Sequence, residues 1–445
     1  MRIADVLPLT PLQQGLLFHA SAGRGSGDDV YAVQLVVGLA GRVDQHRLRD
    51  ALYAVVNRHP QLVARFSGQF EEPVQIVPAD PWVPWRYVDI NDDGVDAGAE
   101  ELVERVCAGE RAAVCELGDQ PVFRAALIRL GQDRYRFVLT NHHIVMDGWS
   151  LPIVVRELFA SYGGQRLAAA GPYRRFVTWL AGRDRDSARA AWGAVLAGVD
   201  TATLVGTAGP VAVGRRATAS ARLPAALTAA VGELARACHT TVNIVLQGAY
   251  AQLLCGLTGQ RDVTFGTTVS GRPAEVPGAE AMVGLLINTV PVRAAVSAAT
   301  STADLLAQLH RAHNQTLDHQ HLALSEIHRL TGHEQLFDTL FVYENYPLDT
   351  TAPLGVDGLA ITEVTTREYN HYPLAIQALP GTELGLRAEY DTDVFTAADI
   401  EALFARLTAL LAAMTADPAT ALCRIDVLDD AERTRLHVLQ SPAGL

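Results

Sequence analysis

The chain has 445 residues, 49% apolar and 19% charged, which fits a packed globular protein with room for two substantial lobes of about 150–250 residues each and excludes a disordered chain. Its formal net charge is -13 and no dense Lys/Arg block occurs, which argues against a nucleic-acid footprint. Five cysteines, Cys107, Cys115, Cys238, Cys255 and Cys423, are scattered, odd in number and without Cys-x-x-Cys spacing, so buried free thiols are expected instead of a disulfide framework or a zinc site. The start, Met1-Arg2-Ile3-Ala4-Asp5, lacks the apolar core of a signal peptide, and no run approaches the roughly 18 apolar residues that span a bilayer. A cytoplasmic protein with no membrane partner is the expectation.

In chain order, the spacing predicts a helix over 13–20, a strand over 31–38 and a helix over 44–58, with Leu48, Leu52, Val55 and Val56 on one face. Short strands are expected at 61–66, 74–77 and 85–88, then a helix over 99–115. Pro121 to Leu130 should pair with Tyr135 to Thr140 across Gly131-Gln132-Asp133. From about 164 to 215 the composition shifts to Ala, Gly and Arg, read as connecting helices that end in a loop near Gly206-Thr207-Ala208-Gly209-Pro210. Helices over 225–238 and 242–257, a strand over 262–267 and a Gly/Pro-rich loop over 270–278 follow. An extended stretch over 283–292, a helix over 302–317, strands near 340–343, 361–365 and 384–390, and an amphipathic helix over 397–413 complete the reading. The expected division is an N-terminal lobe over 1–172, a C-terminal lobe over 173–430, and the start of a linker over 431–445.

The most informative stretch is Asn141-His142-His143-Ile144-Val145-Met146-Asp147-Gly148-Trp149-Ser150. It follows the alternating run 135–140 and precedes a helical pattern with Ser150 as expected cap and Pro152 in the first turn. Side chains at such a strand-to-helix junction commonly meet ligands. An imidazole holds or releases a proton near neutral pH. Strand parity puts His143 with Tyr135, Phe137 and Leu139 and His142 on the opposite side, so one ring faces a substrate. Asp147 could orient a ring or pin the loop through an arginine. A purely structural His-His pair is the bland alternative. A metal set is disfavoured, because adjacent strand residues diverge and no second ligand cluster accompanies them. No Gly-x-Ser-x-Gly elbow, phosphate loop or dinucleotide glycine pattern is present. Residue types and position alone support a two-lobe protein with a candidate acid/base histidine.

His142-His143-x-x-x-Asp147-Gly148 resembles the signature of the condensation domains of nonribosomal peptide synthetases. Other segments resemble that family in the same order: Leu7 to His19, Arg58-His59-Pro60-x-Leu62 with Phe66, Pro172-Tyr173 with Phe176 and Trp179, Val283 to Arg293 with Leu286 where the family has Phe, His319-Gln320-His321, and Phe337 to Pro347. The resemblance implies an α+β fold: two chloramphenicol-acetyltransferase-like lobes in a V-shaped pseudo-dimer with a central tunnel. It implies formation of an amide from a donor thioester and an acceptor α-amine. Donor and acceptor peptidyl carrier proteins bring both on phosphopantetheine arms that enter the tunnel. No cofactor is bound directly, and an adenylation domain is the expected neighbour.

On that template His143 is catalytic and the Gly148 N–H helps to hold the oxyanion. His142 and Asp147 are structural, with Arg272 as the first-choice partner of Asp147. Trp149, Asn288 and Thr289 are expected to shape the tunnel. Tyr369-Asn370-His371-Tyr372-Pro373 reads as a crossover between lobes. The opening Pro8-Leu9-Thr10-Pro11-Leu12-Gln13 and Met146-Asp147-Gly148-Trp149 resemble domains whose donor ends in a D-residue. Rival readings are an epimerisation domain, which continues the motif with Gly-x-Ser-Trp where this chain has Gly148-Trp149-Ser150, and a non-catalytic docking module.

Overall fold

Alternating apolar residues make the strands, and helical spacing makes the helices that cover them. The computed structural model describes residues 2–22, 30–90, 96–118, 120–206, 215–344 and 358–425. In the first half the order is β1 (Ile3–Pro8), α1 (Pro11–Ala22), β2 (Ala32–Gly41), α2 (Gln45–Arg58), β3 (Arg65–Ser67), β4 (Val74–Pro78), β5 (Trp85–Asp89), α3 (Asp96–Ala112), β6 (Phe123–Gly131), β7 (Arg134–His142), α4 (Ser150–Tyr162) and α5 (Tyr173–Ala181). The second half runs α6 (Arg185–Leu196), β8 (Arg216–Arg222), α7 (Ala225–Ala237), α8 (Val242–Thr258), β9 (Asp262–Val269), β10 (Asn288–Ala295), α9 (Thr302–Thr316), α10 (Leu324–Thr331), β11 (Thr339–Tyr343), β12 (Leu359–Arg367), β13 (Leu374–Leu379), β14 (Gly385–Asp391) and α11 (Ala397–Ala416).

The chain divides into two units, and the division is not one cut at 172/173. The first unit takes Met1–Arg185 together with Val269–Asn288 and Tyr346–His371. The second takes Asp186–Thr268, Thr289–Asn345 and Tyr372–Leu445. The two later segments join the first unit because their hydrogen bonds and apolar side chains are satisfied there. β12 pairs antiparallel with β2, Leu359 opposite Gly41 through Arg367 opposite Gln34. Val276, Met282, Val283, Leu285 and Leu286 are buried in the first unit's core.

The first unit holds a five-stranded sheet, β12-β2-β7-β6-β5, and a three-stranded sheet, β1-β4-β3. Along β7 the alternation decides the faces: Tyr135, Phe137 and Leu139 enter the main core, while Val138 meets Val103, Val106 and Cys107 of α3. Asp44 caps α2 by accepting from the His46 and Arg47 N–H groups at 2.9 and 3.1 Å. The second unit holds a six-stranded sheet, β10-β9-β11-β13-β14-β8, with its own core between that sheet and α7, α8, α9 and α11. Ser301 and Thr396 start α9 and α11 with reciprocal capping boxes to Asp304 and Asp399.

Several local expectations change. Residues 60–63 form a 3₁₀ turn, and only Arg65–Ser67 are strand, because Pro60 at the turn's first position fixes a helical φ. The stretch 283–287 is not strand: its backbone groups bond to side chains, and β10 begins at Asn288. Of the five thiols only Cys107 is buried, Cys115, Cys238 and Cys255 are half-buried, and Cys423 is exposed near the end of the described chain. The expected loop at 206–210 lies, beyond Gly206, outside the described residues, as does the expected linker at 431–445. Among the described residues no helix is long and apolar enough to cross a membrane.

Candidate active site

β7 delivers the two histidines. It lies between β2 and β6, with Ala32 opposite His142 and Phe123 opposite Asn141. The His142 N–H reaches Val122 O at 2.8 Å, and the His143 N–H reaches Tyr31 O at 2.9 Å. Pairing then stops and His143–Val145 form a 3₁₀ turn. His143 is therefore on the turn and not on the strand, so strand parity does not set its direction.

The two rings have different fates. His142 is fully buried, and its Nδ1 accepts the Ile144 N–H at 3.0 Å, closing the turn. The accepting nitrogen carries no proton, so the ring's proton sits on Nε2. Gln13 on α1 donates from Nε2 to Ile144 O at 2.9 Å and ties the turn to the chain's first helix. The His143 side chain stays 14% exposed, with Nε2 3.2 Å from Oε1 of Glu368, whose side chain is 28% exposed. Burial would push the His143 imidazole down, but the hydrogen bond and charge of Glu368, with Asp147 behind, outweigh it and hold it up at about 9.

Asp147 is buried and holds the other side of the turn. Arg272 grips it bidentately, Nη1 to Oδ2 and Nη2 to Oδ1, both at 3.0 Å. The Ser150 N–H and hydroxyl reach Oδ1 at 2.9 and 2.7 Å, and the Leu286 N–H reaches Oδ2 at 3.0 Å. Ser150 is thus the first residue of α4 and not its cap, because its N–H and its hydroxyl are both spent on the Asp147 carboxylate. The Ser150 hydroxyl in turn accepts the Gly284 N–H at 3.1 Å. The Trp149 indole N–H donates to Glu280 O at 3.0 Å, and its ring lies under the Arg272 guanidinium at 5.2 Å.

Residues 269–288 are therefore sewn to the motif from several sides. The Asp147 N–H reaches Gly284 O at 3.0 Å, Gln61 Nε2 reaches Val283 O at 2.8 Å, and the Tyr173 hydroxyl reaches Leu285 O at 2.9 Å. Gly284 has φ +150°, and a Cβ there would lie 2.5 Å from two Tyr173 ring carbons. The structure brings His142, His143, Asp147, Gly148, Trp149 and Arg272 into one neighbourhood. Asn288 and Thr289 are buried at the start of β10, Asn288 closing the first unit's segment and Thr289 opening the second unit's.

No motif in the sequence singles out Glu368, and its neighbour His371, part of the stretch 369–373 that reads as a crossover, carries no site role there. His371 is hydrogen-bonded through Nδ1 to the Tyr31 hydroxyl and stacks on His19 with ring centroids 4.2 Å apart. The one available signal was position: Glu368 directly precedes the segment read as a crossover, and the chain does pass from the first unit to the second after His371. Among the described residues no three His, Cys, Asp or Glu side chains gather as a metal set. The assembled chemistry is a partly exposed imidazole paired with a carboxylate, beside a buried salt bridge and the N-terminal end of a helix.

The family model "Condensation domain" matches residues 3–437. Chondramide synthase cmdD of Chondromyces crocatus is 32% identical over 98% of this chain, which spans only 12% of that synthase. The X-domain from teicoplanin biosynthesis superposes with a TM-score of 0.81 at 20% identity, covering 96% of this chain and 99% of that one. The first condensation domain of the calcium-dependent antibiotic synthetase, in complex with a substrate analogue, gives a TM-score of 0.74 at 22% identity, covering 96% and 100%. At these identities the two structures speak for the shared α+β, chloramphenicol-acetyltransferase-like fold.

Proposed function

Because the chain belongs to the condensation-domain family, we propose that it forms the peptide bond of nonribosomal peptide synthesis. The donor is a peptidyl or aminoacyl thioester, and the acceptor is the α-amine of an aminoacyl thioester. Both arrive on phosphopantetheine arms of peptidyl carrier domains, with an adenylation domain as neighbour, in the cytoplasm. The observation that carries the reading is the asymmetry of the histidine pair: His142 is consumed by the fold, and His143 is left partly open to a substrate.

The chemistry follows from charge states. An α-amine with a pKa of about 7.7–8.0 is already partly neutral at pH 7, so no base is needed before attack. Its nitrogen adds to the thioester carbonyl, the C–N bond forms and the carbonyl π pair moves to oxygen. The Gly148 N–H, at the entrance to α4, is the candidate donor to that oxyanion. Collapse breaks the C–S bond, the nitrogen loses a proton and the departing sulfur gains one. His143, protonated at neutral pH, gives the sulfur its proton and recovers one from the nitrogen, so the ring ends as it began. Asp147, Arg272 and Trp149 hold the turn that aims it. The opening Pro8 to Gln13 and Met146 to Trp149 favour a donor that ends in a D-residue.

The test is reconstitution read by intact-protein mass spectrometry. A donor carrier loaded with a D-terminal or L-terminal peptidyl thioester is mixed with a loaded acceptor carrier and this chain or its His143→Ala variant. Transfer of the peptide mass to the acceptor, lost in the variant and faster for the D-donor, is expected. No transfer from either donor would favour the docking reading, and a change of configuration without transfer the epimerising one. Transfer that survives His143→Ala would remove the histidine from the proton pathway.

A further inference from the structure

The structure assigns a positioning role to Glu368: its carboxylate, brought in at the end of β12, fixes the ring and the charge of His143. This rests on the reading of His143 as the catalytic histidine. Three observations carry it. The first is contact: Glu368 Oε1 lies 3.2 Å from His143 Nε2, with neither side chain more than 28% exposed. The second is that His143 Nδ1 is buried and makes no hydrogen bond to another described residue. Beyond its own backbone, the ring is held at Nε2, and Glu368 is there.

The third is how Glu368 is held. Register along β12 runs to Arg367 opposite Gln34, so the residue that follows leaves the sheet edge at the level of β2 next to the motif. A few residues later His371 is pinned by the Tyr31 hydroxyl and by stacking on His19. The stretch between is thus fixed at both ends, and the carboxylate is presented by backbone pairing and not by a free loop.

The electrostatics agree. The ionisable groups around the turn are His142, Asp147, Tyr31, His19, His371 and Glu368. His142 spends Nδ1 on Ile144, and the Asp147 charge is matched by Arg272 at 3.0 Å. His371 and Tyr31 are bonded to one another. Glu368 is the anion placed directly on the ring, and its hydrogen bond and charge are what overturn the burial that would otherwise discharge His143. Without it burial meets less opposition, and less of the ring is protonated to give the leaving sulfur its proton.

The experiment compares the full chain with its Glu368→Gln and Glu368→Asp variants. Histidine ring resonances, with His143 assigned from the His143→Ala spectrum, are titrated by NMR, and transfer rates are measured across pH. Glu368→Gln is expected to lower the His143 titration by about 1–3 units and to move the alkaline limb of the rate profile down with it. A two-unit shift from about 9 to about 7 costs roughly tenfold in rate at pH 8. Glu368→Asp, which keeps the charge, is expected to recover part of both. A His143 titration unchanged in Glu368→Gln overturns the pairing, and a shifted titration with an unmoved rate profile overturns its use in the reaction. A wild-type chain that transfers nothing sinks the amide-forming reading, while the titration still decides the pairing.

Discussion

Replacing Arg272 by methionine keeps most of the side chain's length and removes its charge. The Asp147 carboxylate would keep the Ser150 N–H, the Ser150 hydroxyl and the Leu286 N–H, and lose both guanidinium bonds. Arg272 and Asp147 side chains are 5% and 0% exposed, so water cannot replace the lost partner. Breaking a buried pair from one side costs about 3–5 kcal/mol. The three surviving donors place this site near the lower end, about 3 kcal/mol. Asp147→Asn leaves the guanidinium uncompensated and should cost a similar amount. The double variant should cost much less than the sum, because the two charges fail together. With two units in the chain a single unfolding transition is not a well-defined free energy, so hydrogen exchange at the Asp147 and Leu286 amides is the better readout. Those amides bond to Gly284 O and Asp147 Oδ2 and report the clamp directly. A local loss of about 3 kcal/mol speeds their exchange by roughly a hundredfold. Acceleration below tenfold in both single variants, or strict additivity in the double, would refute the claim that this pair holds the 269–288 segment to the motif.

Two further outcomes follow from the same geometry. Gly271→Ala, at φ +58° with a new Cβ 1.7 Å from Leu286 O, should destabilise the first unit by more than about 2 kcal/mol. Gly278→Ala, at φ +79° with open space, should cost only about 1 kcal/mol, and Leu286 amide exchange, faster in Gly271→Ala than in Gly278→Ala, checks this. Glu157 accepts from His59 Nε2 at 2.8 Å and Arg58 Nε at 2.9 Å; burial pushes its carboxyl up, but these partners outweigh that and hold it below the usual range. Its stabilisation is present above the unfolded carboxyl value of about 4.3 and fades as pH falls through the folded one. Glu157→Gln should therefore flatten the loss of urea resistance between pH 5 and lower values, and an unchanged acid slope would count against it.

What the sequence determined by itself is local. Period-two and period-3.6 patterns located most strands and helices, because the faces they bury are written in neighbouring residues. The His-His-x-x-x-Asp-Gly run at a strand end marked the candidate site, and Arg272 was nominated for Asp147, which it meets at 3.0 Å. Short strands without such a pattern escaped, among them β1, β8 and β13, whose backbone pairing supplies what their own periodicity does not, and the eight-residue α10 escaped although its apolar face is regular. Tertiary structure alone decided the rest. The strand at β12 was legible, but its place on the edge of β2 was not, since pairing partners far apart in the chain leave no local mark. The same holds for residues 269–288, whose backbone groups are satisfied by Asp147, Ser150, Gln61 and Tyr173. Strand parity could not aim His143, because the strand ends one residue before it and a 3₁₀ turn sets the ring. Its charge was equally hidden: a histidine's proton affinity is decided by what burial removes and what a carboxylate restores, and Glu368 arrives only when β12 docks.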